Sequence, residues 1–412
     1  MSKSVPLYIH IPFCISKCTY CDFFSIPRKN KAEIDSYIES ILKEAEYKSK
    51  AYDISSWKSI YIGGGTPSVL DSNQFKMIFT CLRKIASVEK DAEITVEVNA
   101  SDVTKELLNC LFENGVTRLS CGIQSLNDES LKAVKRRSTQ KENLFALECI
   151  SKYWKGDFSA DIISGLPFET KKSFLEGLNT LLSFSPCHVS LYALTIEEGT
   201  ALHKDIIDGR FFYDYDKADE MWLSGRDFLL SNKYEHYEVS NFCIPNKQSQ
   251  HNLSYWKLED YAGIGTASVS TFYSSDNFSN HKEKGWRVTN TKNISNYIKF
   301  WKDYDNNNTS LKPEVDTKII EEITRQKIAT FEEITKEIES FEFFMMGFRT
   351  LQGVSSSEYE KRFGPFPKKV KDILVDWEKC GKAKITNQNN EFIYALTEQG
   401  ILFLNSLLQQ IL

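Results

Sequence analysis

The chain has 412 residues, which at roughly 100 to 200 residues per domain allows two or three domains. Hydrophobic residues make up 41% and charged residues 26%, values that exclude wholesale disorder and a multispanning membrane protein. With 51 basic against 56 acidic residues the net charge is -5, so no global attraction to nucleic acid or anionic lipid is expected.

The first seven residues, Met1 to Leu7, pass straight into strand-like sequence without the basic, apolar and cleavage regions of a signal peptide. No apolar run approaches the roughly 20 residues that span a bilayer. A cytoplasmic protein with reduced thiols is expected, so the 10 cysteines are not read as a disulfide scaffold. Cys81, Cys110, Cys121, Cys149, Cys187, Cys243 and Cys380 stand singly in apolar segments and read as small core residues. Cys14, Cys18 and Cys21 crowd together.

Strands alternate with amphipathic helical stretches as far as Thr200. The strands are Val5–Ile11, Lys58–Ile62, Ile94–Val98, Val116–Ile123, Phe158–Ile163 and Val189–Leu194; helices include Lys31–Lys50, Asn73–Ile85 and Lys141–Lys152. Such alternation predicts right-handed βαβ units and a parallel sheet, here six units of a partial (β/α)6 barrel over residues 1–200. Residues 201–302 read as an irregular extension, polar from Tyr273 to Asn296, and a polar stretch from Asp303 to Ser310 reads as a linker. In residues 313–412, helices at Ile338–Thr350 and Lys368–Cys380, a hairpin at Ala383–Ala395 turning at Gln388-Asn389-Asn390, and a helix at Glu398–Leu412 predict a winged-helix-like module. Without a basic stripe, packing or partner binding is favoured over DNA binding.

Cys14-Ile15-Ser16-Lys17-Cys18-Thr19-Tyr20-Cys21 follows the first strand directly. Three thiolates in one loop can hold three irons of a cubane cluster and leave the fourth open to a small molecule. Structural zinc is the alternative, but it wants four ligands, and the loop offers no fourth cysteine or histidine at zinc-finger spacing. Gly63-Gly64-Gly65-Thr66-Pro67 ends the second strand, where glycines leave backbone groups open to a ligand; a plain turn is the simpler reading. On the third strand Ile94, Val96 and Val98 alternate with Thr95, Glu97 and Asn99, so Glu97 points away from the apolar stripe. A buried carboxylate there needs hydroxyl donors or a basic partner. Gln124 follows the fourth strand and Asp161 lies on the fifth, where polar residues on successive strands can converge on one ligand or be satisfied structurally.

The C-x3-C-x2-C loop after the first strand of a partial barrel resembles the radical S-adenosylmethionine (SAM) superfamily. Tyr8-Ile9-His10-Ile11-Pro12-Phe13-Cys14 and Cys21-Asp22-Phe23 resemble the family that contains oxygen-independent coproporphyrinogen III dehydrogenase and a haem-chaperone branch. The resemblance implies a [4Fe-4S] cluster on Cys14, Cys18 and Cys21, with SAM chelated at the open iron and cleaved on reduction to a 5′-deoxyadenosyl radical. It implies SAM contacts at Gly64, Gly65, Thr66, Glu97, Gln124 and Asp161, and at Arg136, with Arg137 as the competing arginine. Tyr8, Tyr20 and Ala193 correspond to positions lining the same pocket.

Phe23 separates the branches: the dehydrogenase branch carries a cysteine there and the chaperone branch a phenylalanine. His251-Asn252-Leu253-Ser254-Tyr255-Trp256 resembles the chaperone branch's HNxxYW motif, which implies His251 as a haem ligand; a histidine and two aromatics closing the barrel rim is the simpler alternative. Tyr237-Glu238-Val239-Ser240-Asn241-Phe242, Tyr261-Ala262-Gly263-Ile264-Gly265 and Glu342 to Arg349 extend the likeness over nearly the whole chain. Three positions depart from the pattern: Val269 and Ser138 stand where histidines are usual, and Ala100 where proline is. The expected function is haem binding and transfer to an acceptor haemoprotein, with an electron donor as a further partner and without nucleic acid. The enzyme alternative is oxidative decarboxylation of coproporphyrinogen III.

Overall fold

The computed structural model describes residues 2–273, 285–304, 317–388 and 391–412. Six strands carry the site: β1 (Lys3–Ile11), β2 (Ile54–Gly64), β3 (Ser87–Asn99), β4 (Arg118–Gln124), β5 (Asp157–Ser164) and β6 (His188–Ala193). They pair in parallel in chain order. Three later strands, β7 (Glu235–Glu238), β8 (Asn241–Cys243) and β9 (Ala262–Ile264), join the same nine-stranded sheet, in the order β9-β1-β2-β3-β4-β5-β6-β8-β7.

The predicted six-unit partial barrel is therefore present, and the segment read as irregular extends it at both ends. Ala262–Ile264 adds a seventh parallel strand outside β1, while β8 runs antiparallel to β6. The same segment holds helices at Ala201–Ile207 and Tyr215–Ser231. Strands this short carry too little alternation to be read from sequence.

Alternation along the parallel strands sorts the side chains onto two faces. Leu7, Ile9 and Ile11 on β1, Ile60 and Ile62 on β2, and Val96 and Val98 on β3 are buried in the main core with α1 (Lys31–Ala51). The helix begins at Asn30, whose side chain accepts from the Glu33 amide, and buries Ile34, Tyr37, Ile38 and Ile41. The opposite face is polar and in register: Tyr8 pairs with Tyr61, Tyr61 with Thr95, Glu97 with Ser120, Gly122 with Asp161, and Asp161 with Ser190. That polar face is the lumen.

A three-stranded antiparallel sheet joins Val269–Phe272, Gly285–Asn290 and Ala329–Ile334. It runs across the boundary expected between 201–302 and 313–412, and it places a strand in the stretch read as polar from Tyr273 to Asn296. The expected linker from Asp303 to Ser310 lies largely outside the described residues. Beyond it come helices Lys336–Gly347, Ser356–Phe363 and Lys368–Lys379, the paired strands Ala383–Gln388 and Glu391–Leu396, and helix Leu404–Ile411. Val354–Ser355 completes a small sheet with the hairpin, and the whole has a hydrophobic core of its own. Asn389 and Asn390, at the expected turn, lie outside the described residues.

All ten cysteines are free. Cys121, Cys149 and Cys243 are buried as expected of core residues, whereas Cys380 is exposed, because it follows the last turn of its helix rather than its packed face. Among the described residues no helix is long and apolar enough to cross a membrane.

Candidate functional site

At the carboxyl ends of β1 to β6 lies a cavity of about 460 Å³. Cys14, Cys18, Cys21, Tyr20, Gly64, Gly65, Thr66, Glu97, Gln124, Arg136, Asp161 and Ala193 all line it. Two expected residues do not. Tyr8 lies deeper in the lumen, its hydroxyl 3.0 Å from His10 Nδ1 and its ring stacked on Tyr61. His251 is 1% exposed, with Ser59 Oγ 2.8 Å from Nδ1 and the Tyr255 hydroxyl 2.8 Å from Nε2. Neither ring nitrogen is presented to a haem iron, because each is engaged by a hydroxyl.

The cysteine loop is tied down on two sides. Gly65 N donates to Ile11 O at 2.8 Å and Thr66 N to Phe13 O at 3.0 Å, which lays the glycine turn against the entry to the loop. A Cβ on Gly65 would stand 2.9 Å from Ile11 O, so only glycine permits this approach. Thr66 Oγ1 then meets Cys14 Sγ at 3.3 Å. On the far side Thr19 N donates to Val134 O, and Leu202 N donates to Thr19 O. Burial pushes the Cys21 thiol up, with Cys18 and Cys14 adding to the shift. Binding iron would relieve that cost by stabilising the thiolate.

Arg136 bridges the loop to the barrel. Its guanidinium donates to Gly122 O at 2.6 Å and lies 3.8 Å from Cys18 Sγ, while its Nε is buried without a partner among the described residues. Arg137 also lines the cavity, but its guanidinium is taken up by an ion pair with Asp102 at 2.6 Å. Gln124 closes this wall at φ 67, a left-handed conformation uncommon outside glycine.

Two carboxyls face these groups. The Tyr61 hydroxyl donates to Glu97 Oε1 at 2.8 Å and Gly64 N to Oε2 at 3.2 Å; burial nevertheless pushes Glu97 up to about 7, helped by the charge of Asp161. Asp161 accepts from Ser120 Oγ at 2.9 Å, and burial holds it up at about 6 against the hydrogen bonds of Ser190 and Ser120. A cavity lined by two such carboxyls and by the buried Arg136 suits a ligand that carries positive charge and hydroxyl donors together with a carboxylate. SAM has all three, and its sulfonium adds a second positive centre.

Among the described residues no three donor side chains converge tightly enough to hold a single ion. The three thiols of one loop all line the cavity, and the loop itself offers no fourth cysteine or histidine. The donor set therefore fits a cluster with one open iron better than structural zinc.

The sequence reading missed Tyr61, Ser120 and Tyr192, although all three lie on the polar face of their strands. The alternation that singled out Glu97 also marks Tyr61 between Ile60 and Ile62, but an aromatic in a strand is ordinarily core. Around the mouth stand Ile15, 48% exposed, and Phe23, 71% exposed.

Residues 8–181 match the Radical SAM superfamily. A relative described as heme chaperone HemW, from Buchnera aphidicola subsp. Schizaphis graminum, is 30% identical over 98% of this chain and 97% of its own length. The Escherichia coli protein of the same description is 29% identical over 98% and 97%. Among solved structures, the coproporphyrinogen III oxidase HemN of Escherichia coli, a radical SAM enzyme, superposes with a TM-score of 0.77 at 18% identity, covering 99% of this chain and 90% of that one. This last likeness is one of fold. Sequence identity sustained over almost the full length of both chains, on a barrel that gathers three cysteines at its carboxyl end, places the chain in the HemW family of radical SAM proteins.

Proposed function

We propose that this chain is a cytoplasmic haem chaperone that holds a [4Fe-4S] cluster and SAM, binds haem, and hands it to acceptor haemoproteins. The observation that carries the reading is the loop that ends at Phe23. Three thiols line the cavity, and two residues beyond the last of them an exposed phenyl ring stands at the rim, where the dehydrogenase branch has a cysteine.

Cys14, Cys18 and Cys21 would hold the cluster, which supplies one-electron chemistry and an open iron when bound. The chain's own groups do the rest. Gly64 and Gly65, which carry no side chain into the cavity, would line the methionine part of SAM, Arg136, whose buried Nε has no partner among the described residues, would pair with the carboxylate, and Glu97 and Asp161 would accept from ammonium or ribose donors. Ile15 and Phe23 give the mouth an exposed apolar rim suited to a porphyrin face. An electron donor and an acceptor haemoprotein complete the partners, and no nucleic acid is involved.

The test is an anaerobic titration of the reconstituted protein with haem, followed at the Soret band, beside an incubation of the reduced protein with SAM and coproporphyrinogen III. Saturable haem binding and unchanged coproporphyrinogen are expected. Haem uptake that never saturates, or conversion to protoporphyrinogen IX, would overturn the reading.

A further inference from the structure

His251 starts the segment that most resembles a haem-binding motif, yet its side chain is inside the lumen. Neutral imidazole has one donor and one acceptor nitrogen, and here each meets a hydroxyl: Ser59 on β2 and Tyr255 one helical turn onward, both at 2.8 Å. Burial lowers the ring to about 3, so it stays neutral. Its orientation is thereby fixed. The short helix that carries it, Gln250–Trp256, is itself held by the Glu93 carboxylate, which accepts from Ser249 Oγ, Gln250 N and His251 N at 3.1 to 3.2 Å.

The face of the His251 ring lies on Tyr61, with centroids 5.2 Å apart and planes 30° from parallel. Tyr61 in turn lies over Tyr8 at 6.2 Å and 29°. At its other end Tyr61 donates its hydroxyl to Glu97 Oε1. A continuous column thus runs from the HNxxYW segment to a carboxylate of the cofactor cavity, although His251 itself does not reach that cavity.

We propose that His251 is a positioning residue: with Tyr255 and Ser59 it clamps the Tyr61 ring so that the Tyr61 hydroxyl holds Glu97 in place for SAM. The inference rests on the reading that this cavity binds SAM, and it gives the motif a structural duty in place of axial ligation. A carboxylate held by a pre-oriented donor loses less freedom when the ligand arrives, so the clamp is read in SAM affinity.

The experiment is equilibrium dialysis of labelled SAM with the anaerobically reconstituted full chain and its variants His251→Ala, His251→Gln, Tyr61→Phe and His251→Ala/Tyr61→Phe. Tyr61→Phe is expected to weaken SAM by about tenfold, the loss of one hydrogen bond to a charged group. His251→Ala should weaken it by a similar factor, and His251→Gln, which keeps polar partners for Ser59 and Tyr255, should recover part of the loss. The double variant should be no weaker than the weaker single one, because both act through one contact. Cluster absorbance and the haem Soret titration should match the unsubstituted protein. Tyr61→Phe and His251→Gln keep the test alive should His251→Ala fail to fold.

SAM affinity unchanged in His251→Gln and Tyr61→Phe would overturn the clamp. So would a lost Soret response with SAM affinity intact, which would give His251 to haem. An unsubstituted protein that takes up no SAM would overturn the reading of the cavity, and the clamp with it, before any variant is compared.

Discussion

Glu97 and Asp161 put two carboxyls into a lumen walled by barrel side chains, and burial raises both. A carboxyl whose folded pKa lies above its unfolded value binds more protons in the folded state between those two values, so its contribution to stability falls as pH rises through that window. For Glu97 the window runs from 4.5 to about 7, and Asp161 acts in the same direction from 3.8 to about 6. Urea unfolding of the apoprotein should therefore show stability falling between pH 5 and pH 7.5. Glu97→Gln should remove a share of that fall on the order of 2 to 3 kcal/mol. Glu169 and Glu238, both raised to about 7 by burial, keep part of the slope in the variant. An identical slope in Glu97→Gln would contradict the assignment. At the cluster loop, Cys18→Ala should lose the cluster's visible absorbance after reconstitution, and a stable cluster in that variant would remove Cys18 from the ligand set. At this scale Glu97 was legible because period-2 alternation isolates a carboxylate among Ile94, Val96 and Val98. Tyr61 and the setting of His251 were not, since the same pattern around an aromatic reads as core and a histidine's partners come from other strands.

Among the elements, the glycine turn after β2 does more than end a strand. Gly64 has φ 112, and a Cβ there would stand 2.5 Å from His10 Nδ1, on a ring already held by the Tyr8 hydroxyl and by Phe24 O. Gly64→Ala therefore meets both backbone strain and a steric conflict, at a cost of about 2 to 4 kcal/mol in denaturant unfolding. Gly199, at φ 84 with nothing within 4 Å of its Cβ position, is the matched control. Gly199→Ala should lose only the strain of the left-handed backbone, about 1 kcal/mol, and equal losses in the two variants would mean that His10 does not press on the turn. The six parallel strands and their helices were legible because each long apolar run is bounded by turn residues and followed by a helical repeat. Ala262–Ile264 was not, because three residues, one of them Gly263, followed at once by Gly265, give no period, and their place beside β1 depends on pairing with residues more than 250 positions earlier.

For the whole molecule, the nine-stranded sheet brings the N-terminal loop, the glycine turn and the ends of four further strands to one cavity, while chain from residues 235–264 closes both edges of the sheet. The fold itself does not choose between a chaperone and an enzyme, since the HemN structure superposes on nearly all of it. That choice was legible in the sequence at Phe23, and the structure adds that the ring is exposed at the cavity rim. The proposed haem-facing rim was less legible, because the cysteine spacing marks the loop as a cluster site and says nothing of which of its apolar residues, Ile15 or Phe23, stays exposed at the cavity. The most direct measurement is haem transfer: the haem-loaded, reconstituted chain is mixed with a haem-depleted haemoprotein and the acceptor's own absorption spectrum is followed. The account predicts that the Soret band moves from the chain's position to that of the reassembled acceptor, faster than free haem at the same concentration delivers it. Haem that stays on the chain, or reaches the acceptor no faster than free haem, would contradict it.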